Sequence, residues 1–176
     1  MRPPYQPSLL RLLHGATALL VLMAWLSGAM VLFHHDGRWG RLPLPPGADW
    51  IDIHGSIAVL LWPMALLFGL YALSLGRARL RRPSSAVALV ALALAVGTGK
   101  WMQEDWLRQG QLDQFVYSGH LLAWLALTLA VATHLAGVLR QGGWPLAGSM
   151  LSLQLQPNDR PRHWPRQLSR WFGAGS

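Results

Sequence analysis

The amino-acid sequence predicts an all-α integral membrane protein, an antiparallel four-helix bundle with both termini in the cytoplasm. Three observations lead there. Of the 176 residues, 52% are hydrophobic and only 12% are charged. The hydrophobic residues gather into four long runs. The 15 Lys and Arg residues fall unevenly on the segments between the runs.

The first run extends from Leu12 to Phe33 and carries no formal charge. A helix rising about 1.5 Å per residue needs about 20 residues, and at least about 17, to cross the hydrocarbon core. This run is long enough. Arg2 and Arg11 precede it, as they would in a signal peptide. It is longer than a usual signal segment, however, and no clean A-x-A cleavage site follows, so it is expected to be a retained helix. The second run, Ile53 to Leu75, is of similar length, and Pro63 within it is expected to kink the helix. The third, Ala86 to Met102, is the shortest and sits at the lower limit for a span, with Lys100 near its end. The fourth, Val116 to Leu139, matches the first two.

Orientation follows from the cations. Arg2 and Arg11, the loop cluster Arg77, Arg79, Arg81 and Arg82, and Arg140, Arg160, Arg162, Arg166 and Arg170 make 11 of the 15. All lie on the side that holds both termini, which the positive-inside rule assigns to the cytoplasm. Arg38, Arg41, Lys100 and Arg108 face the other side. Trp39, Trp50, Trp101 and Trp106 suit an outer aromatic belt, and Trp144 an inner one.

The outer loop from Gly37 to Asp49 is rich in Gly and Pro and reads as turns. Two domains follow, a four-helix membrane unit over 1–140 and a basic, Pro-containing cytoplasmic tail over 141–176. Pro145, Pro157, Pro161 and Pro165 prevent that tail from forming one helix. Two readings of it stand side by side: a solvated basic tail, and a segment from Trp164 to Phe172 lying on lipid headgroups.

Composition excludes several classes. Without Cys the chain has no disulfide framework, no thiolate-held zinc or iron–sulfur centre and no thioether-linked haem. A net charge of +8 would suggest nucleic acid in a soluble protein, but here it sits beside a membrane, so no nucleic-acid partner is expected. No nucleotide-binding fingerprint is present.

Four of the seven His residues, His14, His54, His120 and His134, fall inside the apolar runs. Ionisable residues there are costly and point to function. Helix direction sets their depths. His14 opens an outward helix and His134 closes an inward one, so both lie near the inner face. His54 and His120 each open an inward helix and lie near the outer face. At about 100° per residue, the step from His120 to His134 is about 1400° of helical rotation, close to four full turns. The two therefore share one side of the helix, roughly 21 Å apart along its axis. One metal ion cannot bridge that gap, whereas two stacked haems can. Neutral imidazoles on facing helices are suitable axial ligands. Gly15, Gly55 and Gly119 each adjoin one of these His residues, and Gly137 lies one turn past His134, leaving room for a flat ring.

With Arg11-Leu-Leu-His14-Gly15 opening the first helix, His54-Gly55 the second, no His in the third, and Gly119-His120 with His134 in the fourth, the chain resembles the bacterial di-haem cytochrome b561 family. That family includes the membrane subunits of formate dehydrogenase and nickel–iron hydrogenase. The resemblance covers about Arg11 to Arg140. It implies two b haems, ligated by His54 with His120 and by His14 with His134, and electron transfer across the membrane, commonly to or from a quinone. The third helix lacks the Asn/Gln-Lys type of quinone motif known from the formate dehydrogenase branch.

Haem propionates need cations. Arg11, one turn before His14, is the leading candidate at the inner haem, with Arg79 and Arg140 behind it; Arg38, Arg41 and Lys100 are candidates outside. For each, a plain anchoring role at the membrane surface is the alternative. His34 and His35, beside Asp36, read as interfacial polar residues or as a proton or docking site, and His163 as a solvated tail residue.

The expected function is therefore a membrane electron carrier, free-standing or a subunit of a larger enzyme, exchanging electrons with a quinone or with a redox protein docked on the outer face. Its expected location is a bacterial plasma membrane; a thylakoid would satisfy the same rules. Two other classes compete. A His-dependent proton or ion transporter would need acidic partners within the apolar runs, and none is present there. A haem-free anchor or assembly protein would carry no pigment.

Overall fold

The computed structural model describes residues 5–36, 49–102 and 111–173. Among them the regular structure is entirely helical, with four helices long and apolar enough to cross a membrane. These are α1 (Ser8–Val31), α2 (Trp50–Leu73), α3 (Pro83–Trp101) and α4 (Gln111–Ser149); a short α5 (Trp164–Gly173) follows. Each long helix begins before its apolar run; α1, α2 and α3 end one or two residues before their runs do, and α4 continues past Leu139 to Ser149.

The helix ends have local causes. Asp49 caps α2, its carboxylate accepting from the Ile51 and Asp52 N–H groups at 3.1 Å each. Pro83 starts α3 at a position where its missing N–H costs nothing. The C-terminal end of α1 widens into a π turn, Leu32–Asp36. Helix α2 runs unbroken through Pro63, as membrane helices tolerate. The long α4 breaks at Gly143, whose φ of 60° and ψ of −158° only glycine adopts readily.

The close backbone neighbours are α1 with α2 and α3 with α4; α2 and α3 touch more lightly. A central core unites all four helices: Ala91, Leu92, Leu127 and Ala130, with Val21, Ala65 and Phe68 packed on it. Outward-facing residues such as Leu19, Leu60, Val90, Leu122 and Leu129 are exposed, and a bilayer would cover them.

The tail is more than a solvated segment. Residues after Ser149 fold back over the beginning of α1. No residue next to α1 caps it; instead the Asp159 carboxylate, 151 residues away, accepts from the Ser8 N–H at 2.6 Å and from the Tyr5 hydroxyl at 2.5 Å. The Ser8 hydroxyl donates to the Asp159 carbonyl at 2.7 Å and accepts from the Trp164 indole at 2.9 Å. Trp164 and Met150 also pack on a small apolar cluster of Leu9, Leu10 and Tyr71. A carboxylate at a helix N-terminus meets unpaired N–H groups and the positive end of the helix dipole, which explains why an acidic residue in a basic tail docks there. Burial pushes the Asp159 carboxyl up, but the hydrogen bonds from Tyr5, Ser8 and Gln167 outweigh it and hold the group below the ordinary carboxylate value. Burial, and the hydrogen bond to Asp159, push the Tyr5 phenol up.

Candidate functional site

The four intramembrane His residues form two facing pairs. His14 on α1 and His134 on α4 have ring centroids 6.5 Å apart with planes inclined by 42°. His54 on α2 and His120 on α4 have centroids 6.2 Å apart, inclined by 59°. The two imidazoles of each level predicted from the sequence therefore meet across the bundle.

The pair that the sequence assigns to the outer face, His54 with His120, is seated in a repeated way. The Ser27 hydroxyl on α1 lies 3.0 Å from His54 Nδ1, and the Thr98 hydroxyl on α3 lies 3.0 Å from His120 Nδ1. Each hydroxyl residue is followed by glycine. A Cβ added at Gly28 would stand 3.2 Å from His54 Cε1, and one at Gly99 would stand 3.1 Å from His120 Cε1. Both distances are tighter than ordinary van der Waals contact, so a side chain there would press the imidazole edge away from the neighbouring helix. A Cβ at Gly15, Gly55 or Gly119 would meet nothing within 4 Å, and one at Gly137 would meet the Ser84 hydroxyl. The glycines in contact with the rings are thus on the facing helix and not beside the His residues in sequence.

The inner pair has a different setting. His14 meets the edge of Phe68 at 5.8 Å. His134 Nδ1 and the Thr17 hydroxyl are buried without hydrogen-bond partners. Arg11, also buried, donates through its two terminal nitrogens to the carbonyls of Ser152 and Gln154, the latter at 2.7 Å. Its Nε is buried without a partner. The structure thus sets the Arg11 fork on the tail and leaves the buried Nε–H among the donors open to another acceptor.

Between the two levels α1 and α4 are joined by aromatic packing. Trp25 and Trp124 stack with centroids 5.4 Å apart and planes 17° from parallel, and the Trp25 indole donates to the Thr128 hydroxyl at 2.8 Å. Trp25 lies about three turns past His14 on α1, and Trp124 about one turn past His120 on α4. The stack is therefore roughly 6 Å inward of the outer pair and roughly 15 Å outward of the inner one.

The remaining sequence candidates are spread out. Arg79 donates to the Gln6 side chain at 3.1 Å. Arg140 and Lys100 are exposed. His34 lies in the π turn. His163 is half-buried, with its Nδ1 out of solvent and without a hydrogen-bond partner among the described residues. Arg38 and Arg41, and the side chain of His35, lie outside the described residues. Ser27, Thr98, Gly28, Gly99 and the docked tail were not identified from sequence. A hydroxyl–glycine pair one helix away from each outer His is the only signal that pointed to the first four.

The donor set can be tested against a haem. Two imidazoles on one metal, each with a bond of about 2 Å as for zinc, place their centroids about 6 Å apart. Both pairs match that separation. Among the described residues no three His, Cys, Asp or Glu side chains gather in one place, so each level offers two protein ligands. Two are what a porphyrin-bound iron needs and fewer than a metal held by protein alone commonly takes. Comparisons with protein families, with curated proteins and with solved structures find no match for this chain.

Proposed function

We propose that this chain is a membrane electron-transfer cytochrome holding two b haems, one between His54 and His120 near the outer face and one between His14 and His134 near the inner face. The observation that carries the reading is the pair of facing imidazoles at each level, at 6.2 and 6.5 Å. Cofactor, family and function rest on that geometry together with the sequence resemblance to di-haem cytochrome b561. When bound, haem supplies a one-electron ferric–ferrous couple. The chain supplies neutral imidazole ligands, a low-dielectric surround that tunes the couple, and a membrane-spanning frame that holds the two sites roughly 21 Å apart.

The proposed arrangement is an antiparallel bundle with both termini cytoplasmic. His14 meets His134 while Trp25 meets Trp124, so contacts move back along α4 as α1 advances. The arginine-rich segment Arg77–Arg81 and the docked tail lie on the side assigned to the cytoplasm by the positive-inside rule. In a bacterial plasma membrane the chain would exchange electrons with a quinone or a docked redox protein. Arg11 Nε, buried without a partner, is a donor available to a propionate of the inner haem.

The test is pigment analysis of purified protein from haem-replete cells. The expected result is a dithionite-reducible b-type spectrum with two haems per chain, extractable by acid acetone because no Cys is present to hold them. A colourless, folded preparation overturns the reading and returns the chain to the anchor or transporter class.

A further inference from the structure

We infer that Ser27 and Thr98 are positioning residues that fix the outer imidazoles in one tautomer, Nδ1 protonated and Nε2 free to bind iron, and hold the outer haem at a lower potential than it would have without them. The inference rests on the di-haem reading for its redox part alone. The tautomer part stands on hydrogen bonds within the chain.

A hydroxyl has one proton to give. The Ser27 hydroxyl lies 2.9 Å from the Met23 carbonyl and 3.2 Å from that of Ala24. The Thr98 hydroxyl lies 2.7 Å from the Leu94 carbonyl and 3.2 Å from that of Ala95. A carbonyl only accepts, so each hydroxyl spends its proton on its own helix. Toward the imidazole 3.0 Å away, each oxygen has only lone pairs left. The imidazole must then be the donor, through Nδ1–H. A neutral imidazole protonated at Nδ1 has its lone pair on Nε2. Outer-shell acceptors of this kind orient ligating histidines and raise their basicity.

The device occurs twice with the same parts. Ser27-Gly28 on α1 seats His54 on α2, and Thr98-Gly99 on α3 seats His120 on α4. This gives α3, which carries no His, a specific task. At the inner pair no hydroxyl stands at His134 Nδ1, so the two levels differ in ligand basicity. An N–H donated to an acceptor gives the imidazole more anionic character, which favours ferric over ferrous iron.

The experiment has two readouts. In haem-free protein carrying 15N-labelled His, NMR is expected to report the Nδ1–H tautomer at His54 and His120, and a weaker preference for it in Ser27→Ala and Thr98→Val, where the Ala24 and Ala95 carbonyls remain as acceptors. An Nε2–H tautomer in the wild type overturns the inference whether or not haem binds. In protein purified with haem, redox titration of Ser27→Ala plus Thr98→Val is expected to show the outer midpoint potential raised and the inner one unchanged. The hydroxyl-preserving Ser27→Thr and Thr98→Ser are expected to keep the wild-type value and the full haem content. An outer potential unmoved in the double variant, or an inner potential moved equally, overturns it. Protein that takes up no haem overturns the electron-transfer reading while leaving the tautomer measurement to decide this one.

Discussion

At the scale of single residues, the site depends on which imidazole faces which. If the proposed di-haem reading holds, replacing His14 or His134 by Ala is expected to remove the inner haem and largely spare the outer one, and His54→Ala or His120→Ala to do the reverse. Haem-to-protein ratios and the split of the reduced α band check this; loss of the same haem from His14→Ala and His120→Ala would mean that the pairing is wrong. The pairs were legible because membrane direction converts sequence position into depth, and because a near-whole number of turns brings His120 and His134 to one side of α4. Their supports were less legible. Ser27 and Thr98 are single polar residues among many, and a hydroxyl bonded back to its own helix is the usual state of Ser or Thr in an apolar helix. Arg11 shows the same limit. Its spacing from His14 suggested a shared ligand, but its two terminal nitrogens meet backbone carbonyls 141 and 143 residues away. Arg11→Gln removes that two-nitrogen grip, and faster protease cleavage between Met150 and Asp159 is the expected result. An unchanged cleavage rate would show that the Arg11 fork does not hold the tail.

At the scale of elements, the four long helices were legible because an apolar run of about 17 residues or more with at most one charge has few alternatives in a bilayer. Their ends were less so. Sequence gives α2 a capping Asp and α3 a Pro at its start, both local signals. It gives α1 only Pro7 and no side-chain cap, since the cap comes from Asp159 through a contact that no local pattern encodes. Asp159→Ala is therefore expected to act on α1 although it lies in the tail. Losing an N-cap acceptor costs about 0.5–2 kcal/mol, and the loss here also frees the Tyr5 hydroxyl and the Gln167 amide. Thermal unfolding in detergent should show a lowered midpoint, and hydrogen exchange should speed up in the first turn of α1. Equal exchange there in variant and wild type would assign the cap no energetic role.

At the scale of the whole molecule, the two ends of the chain are joined into one inner cap over the His14–His134 level. Its pH range follows from the two titrating groups. Asp159 titrates lower when folded, so its contribution is complete above the unfolded value of about 3.9 and is lost as pH falls through the folded one. Tyr5 titrates higher when folded, so its contribution is complete below about pH 10 and is lost as pH rises through the folded value. The gap in melting temperature between wild type and Asp159→Ala is expected to be flat near neutral pH and to close in acid; a gap persisting in acid would assign the stabilisation to something other than the carboxylate. The joined ends also order the events of synthesis. Ser8 and Asp159 are 151 residues apart, so at about 5–20 residues per second the ribosome delivers the cap roughly 8–30 s after the turn that it covers. His120 emerges before His134, and Asp159 after both. The nascent chain can close its His54–His120 pair while His14 still waits for its partner and then for its cover, which makes the His14–His134 level the last to mature.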